Sequence, residues 1–117
     1  MTWYHYVAYF FGAVFLTNAV PHLVSGMLGR PFQSPFAKPP GKGLSSSTVN
    51  ALWGWLNVAI GYALLFKVGA FDVRNLSHAI VVGVAVLARS LLAARHFGQF
   101  HGGATPTSTT SAHSHAT

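Results

Sequence analysis

Residues 74–96 read RNLSHAIVVGVAVLARSLLAARH, and deciding where Arg89 sits in this run decides the fold. Every residue between Arg74 and Arg89 is uncharged. At about 1.5 Å each they reach only about 21 Å along a helix, short of the roughly 30 Å hydrocarbon core of a bilayer. Carried on from 75 to 94, up to the next charge at Arg95, the run measures about 30 Å. Arg89 then lies roughly 9 Å inside that end. An arginine embedded in a membrane span is the expected consequence.

The rest of the chain fits that expectation. Of its 117 residues 51% are hydrophobic and 7% charged, too few charges for an ordinary soluble domain. Glutamate is absent and Asp72 is the sole acid, so the formal charge is +6. The basic residues are scattered over helix ends and loops and form no patch, which argues against nucleic acid as a partner. With no cysteine there are no disulfides and no thiolate chemistry. No basic n-region precedes the first apolar run, so no cleaved signal peptide is expected.

Two further uncharged runs precede the opening one. The first, WYHYVAYFFGAVFLTNAVPHLVSGMLG, crowds Trp3, Tyr4, Tyr6 and Tyr9 at its start, as aromatic residues do at headgroup level. Pro21 removes a helical donor opposite Thr17 and is expected to kink the helix. Asn18, His22, Ser25 and Gly29 share one face, either as polar glue between helices or as part of a ligand site. The second run follows the Ser and Thr residues at 45–48, a source of N-caps. It places Asn50, Trp53 or Gly54, Asn57 and Gly61 on one face, a pattern for close helix contact.

On the third run His78, Val82, Ala85, Arg89 and His96 form one stripe, while Ala79 and Gly83 make a small-residue pair for tight packing. Residues 30–47, RPFQSPFAKPPGKGLSSS, are too rich in Pro and Gly for a helix or regular strand. Phe32 and Phe36 are expected to fold that loop back onto the helices or the headgroup zone. Asp72 and Arg74 are expected to form an exposed ion pair.

The expected fold class is therefore all-α, an integral membrane bundle of three transmembrane helices near 3–28, 47–67 and 75–97. A Pro-rich loop joins the first two. Residues 1–98 form the domain, and 99–117 a flexible polar tail containing His101, His113 and His115, with disorder expected there. Arg30, Lys38, Lys42, Arg89 and Arg95 fall on the long-loop side, against Lys67 and Arg74 opposite. The positive-inside rule then puts that loop and the C-terminus in the cytoplasm and the N-terminus outside, in a bacterial inner membrane.

Counting about 1.5 Å per residue inward from the cytoplasmic helix ends, Asn18, Asn57 and Arg89 all lie about 12 to 13 Å deep. His22 and His96 lie nearer the surface. These five are the candidate residues for a ligand or a partner. Arg89 either meets the asparagines and an anion, or snorkels toward the interface.

Without paired carboxylates, acid and base catalysis has no residues to run on, and no enzyme activity is expected. His22 and His96 have the chemistry to ligate a haem or flank a quinone, but no spacing specifies a cofactor. His101, His113 and His115 are weak metal candidates through imidazole.

Two functional classes follow. In the first, the chain is a non-catalytic accessory subunit of a larger membrane complex, its Arg89 met by a partner's acid or an anionic lipid. In the second, it is a homo-oligomeric transporter or a membrane enzyme subunit that binds a small anion, quinone or metal. The expected partners are membrane lipids, other membrane subunits or further copies of the chain.

Overall fold

The structure, a computed structural model, describes residues 2–103. It contains α1 (Trp3–Met27), β1 (Phe32–Gln33), β2 (Leu44–Ser45), α2 (Ser47–Ala63), a π-helical turn (Leu64–Val68) and α3 (Leu76–His101). All three helical stretches are long and apolar enough to cross a membrane. At about 1.5 Å per residue, α1 and α3 each exceed about 37 Å, and α2 with its π turn reaches about 33 Å.

The distribution of side chains is the reverse of a water-soluble bundle. Leu52, Leu56, Leu87, Leu91 and Leu92 are exposed, whereas His22, Asn50, Asn57 and His78 are buried. Apolar groups outside and hydrogen-bonded polar groups inside are what a hydrocarbon solvent selects, because an unpaired polar group there costs several kcal/mol. Around α3 the expected stripe is the one turned inward: His78 and Ala85 are buried, while Val84, Leu87 and Leu91 face out.

Helices α1 and α2 are held together by glycines. A Cβ on Gly26 would lie 2.6 Å from the Ala51 backbone nitrogen, one on Gly54 would meet the Leu23 side chain at 2.7 Å, and one on Gly61 would come within 2.9 Å of the Gly12 carbonyl. Backbones this close leave room for asparagine to bond across, and both asparagines of α2 do so. Gly83 of α3, in contrast, meets nothing within 4 Å. Among the described residues, Gly83 therefore does not make the tight packing expected of this pair.

Ser46 caps α2 by accepting from the Val49 amide at 3.2 Å, and Asn75 caps α3 by accepting from the His78 amide at 3.3 Å. Helix α1 continues through Pro21. After Ala63 the backbone widens into the π turn, with the Gly69 amide on the Leu64 carbonyl at 3.0 Å. The Tyr9 hydroxyl accepts from the Ala70 amide at 3.1 Å and ties this turn to α1.

Three further features differ from expectation. The Pro-rich loop does contain paired strands: β1 and β2 are antiparallel, with Phe32 opposite Ser45 and Gln33 opposite Leu44. Two residues per strand suffice because Pro31, Pro35, Pro39 and Pro40 all fall outside the paired positions. Inside the loop the Ser34 carbonyl accepts from the Gly41 amide at 2.8 Å, with Gly41 at φ 74°.

Helix α3 also runs past 98 to His101, where Gly102 ends it in the left-handed conformation at φ 82°. The extension is anchored by His101, which stacks on Phe32 with centroids 5.2 Å apart. In the connection before α3, the Asp72 carboxylate accepts from the backbone amide of Arg74 at 3.0 Å, so it closes a turn and is no guanidinium pair. The expected disorder of the tail, together with His113 and His115, falls outside the described residues.

Candidate functional site

Three of the five candidate residues form one continuous set of hydrogen bonds across the three helices. Arg89 Nη2 of α3 donates to Asn18 Oδ1 of α1 at 2.5 Å. Asn18 Nδ2 donates to Asn57 Oδ1 of α2 at 3.0 Å, and Asn57 Nδ2 donates to the Trp53 carbonyl at 2.7 Å. A guanidinium only donates and a carbonyl only accepts, so both ends fix which way each amide faces. The common depth inferred from residue counting is thus matched by direct contact. Arg89 is turned inward to Asn18.

His22, one turn above Asn18 on α1, belongs to a neighbouring knot. Its Nδ1 lies 2.7 Å from Asn50 Oδ1. The amide nitrogen of Asn50 faces the carbonyls of Phe32, Ser45 and Ser46 at 3.1, 3.2 and 3.0 Å. With the nitrogen committed to three acceptors, the oxygen of Asn50 must accept, and the proton of His22 must sit on Nδ1. Asn50 is 0% exposed and joins α1, the start of α2 and both strands. It was recognised on the packing face but not among the candidates.

His96 and His101 serve the loop. His96 Nε2 donates to the Gly41 carbonyl at 2.7 Å, and His101 Nε2 pairs with Gln33 Oε1 at 2.9 Å. Both imidazoles latch the loop to the end of α3. No group of three or more side chains able to hold a metal occurs among the described residues. The metal candidates His113 and His115 lie outside those residues.

These elements border an open cavity of about 230 Å³, walled by Asn18, His22, Gln33, Trp53, Arg89 and His96, among others. Asn57 stands behind Asn18 and is not in the wall. Phe97 closes one side, 6.1 Å from the His22 ring and 4.6 Å from the Phe32 ring. No carboxylate contributes to the wall.

Trp53 supplies what the sequence did not suggest. Its indole nitrogen is buried and, among the described residues, has no hydrogen-bond partner. A buried donor left unpaired costs about 1–3 kcal/mol, which calls for an explanation. The available signal was its position one turn before Asn57 on the polar face of α2.

The chemistry of the cavity is therefore that of a donor-lined site. Arg89 has N–H groups beyond the one given to Asn18, whereas the unclaimed Trp53 N–H is buried. The complementary ligand is rich in acceptors and negatively charged. No family model, curated protein or solved structure matches this chain.

Proposed function

We propose that the protein is a small multi-pass membrane protein that binds the anionic, acceptor-rich group of a small ligand between its three helices, without catalysing a reaction on it. One observation carries this: the Arg89 guanidinium, with donors beyond the one given to Asn18, lines a carboxylate-free cavity. An embedded arginine costs at least about 2.5 kcal/mol, and neutral asparagines offset that only in part. An anion in the cavity completes the compensation. The basic residues of the long loop support a cytoplasmic position for this end of the bundle, in a bacterial plasma membrane.

A second reading, the accessory subunit, is favoured by α3. Only 11% of its most apolar window is buried, and Gly83 is open to a close neighbour. Here the anion facing Arg89 is a partner's carboxylate.

Native mass spectrometry of the full chain, purified in mild detergent, separates the two. A lone chain or homo-oligomer carrying a small anionic mass, lost in Arg89→Ala and partly retained in Arg89→Lys, fits the first reading. Lysine keeps the charge but not the planar fork of donors. A stoichiometric foreign subunit that leaves on Arg89→Ala overturns it in favour of the second.

A further inference from the structure

A second void lies beside the first and differs in every respect but one wall. It is a groove of about 670 Å³ between α1 and α3, lined by Leu16, Val20, Val24, Val86, Ala93 and Phe97, among others. Pockets that hold whole drug-sized ligands measure roughly 300–1,000 Å³. The Arg89 cavity falls below that range and has room for a headgroup only. The groove falls inside it and has almost no polar lining to orient a ligand. Phe97 is common to both.

The alternation along α3 explains how the two sites stay adjacent: Arg89 and His96 face the cavity, whereas Val86, Ser90 and Ala93 face the groove. The seam is also looser than the one between α1 and α2. Glycines bring α1 and α2 into backbone contact, whereas α3 has no such contact with α1. A seam flanked by exposed Val20, Val24 and Val86 opens sideways to hydrocarbon, not to water.

We propose that the ligand is an anionic single-chain amphiphile drawn from the bilayer, a long-chain carboxylate or alkyl phosphate. Its head binds Arg89, and its chain lies past the Phe97 ring in the groove between α1 and α3. This rests on the anion-binding reading of the cavity and adds the chain. Moving a hydrocarbon chain from lipid to an apolar groove gains little, since lipid tails are as apolar as leucine. Specificity then comes from the headgroup, and the chain sets the route of entry.

The test uses a photoreactive long-chain carboxylic acid with a diazirine near the chain terminus and the full chain in phosphatidylcholine nanodiscs, with crosslinked residues mapped by mass spectrometry. Labelling is expected to concentrate on groove residues such as Val20, Val86 and Ala93. It should fall roughly tenfold in Arg89→Ala, the loss of about one charge-assisted bond, and move off the groove in Ala93→Phe. An alkyl phosphate competing as well as a carboxylate identifies the phosphate as an equivalent head.

Even labelling of the outer faces at Leu52, Leu56 and Leu91, unchanged by Arg89→Ala, overturns the inference. Butyrate, which has a head but almost no chain, separates the two levels. If it raises the thermal stability of wild type but not of Arg89→Ala while the long probe labels at random, the chain site falls and the anion cavity stands. If butyrate has no effect as well, both fall.

Discussion

Asn50 Oδ1 accepts the Nδ1 proton of His22 at 2.7 Å, and this one bond joins the middle helix to the first at the point where the loop folds over them. Because the same asparagine also holds the Phe32, Ser45 and Ser46 carbonyls, it is the junction of two helices and a hairpin. Asn50 itself is fully buried, so its side-chain amide cannot turn to water instead.

Asn50→Ala is therefore expected to destabilise the chain by roughly 1–3 kcal/mol, the cost of leaving buried polar groups unpaired. Unfolding in mixed micelles with increasing denaturing detergent measures it. Asn50→Ala unfolding at the wild-type midpoint would show the junction to be dispensable.

Trp53→Phe should separate stability from binding. Without ligand, removing an unpaired buried N–H is expected to leave stability unchanged or raise it by up to about 1 kcal/mol. With the anion present, affinity should stay at the wild-type level, because the buried indole nitrogen offers no surface to the cavity. Thermal melting with and without butyrate reads both. A loss of stability in the ligand-free protein would mean the indole nitrogen is already satisfied.

Glycine substitutions should divide sharply by position. Gly26→Val forces a side chain against the Ala51 backbone, which cannot move aside as a side-chain tip can, and is expected to cost at least about 1–3 kcal/mol. Gly83→Val enters open space and should leave the melting temperature of the monomer unaltered. Equal effects at the two sites would show that Gly83 is covered in the assembled protein.

Topology is checked by fusing reporters after Thr117 and into the loop near Lys42. Both are expected to read out as cytoplasmic, with a reporter at Gly69 on the outer side. A periplasmic signal from the Thr117 fusion reverses the orientation.

The helices were legible because uncharged length is a direct physical constraint: a span must cover the hydrocarbon core, and residues 75–94 do so only by including Arg89. Depth counting also brought Asn18, Asn57 and Arg89 to one level, since rise per residue is nearly constant. What remained hidden depended on contacts distant in sequence. Pairing of Phe32 with Ser45 needs the loop to close on itself, which Pro and Gly content conceals. His96 and His101 looked like ligands because imidazole usage says nothing of a carbonyl or amide waiting on a loop far away in the chain. Trp53 was visible as a helix-face residue, but an unpartnered nitrogen appears only when every neighbour is known.

The one-way order of the bonds from Arg89 through Asn18 and Asn57 to the Trp53 carbonyl has a mechanical consequence. Among lipid tails, one apolar helix surface slides past another with little change in free energy, so hydrophobic contact carries almost no information about vertical position. A shift of one helical turn, about 5.4 Å, would stretch the links between helices beyond hydrogen-bond length. The set thus works as a depth gauge: it registers the three helices against one another along the membrane normal.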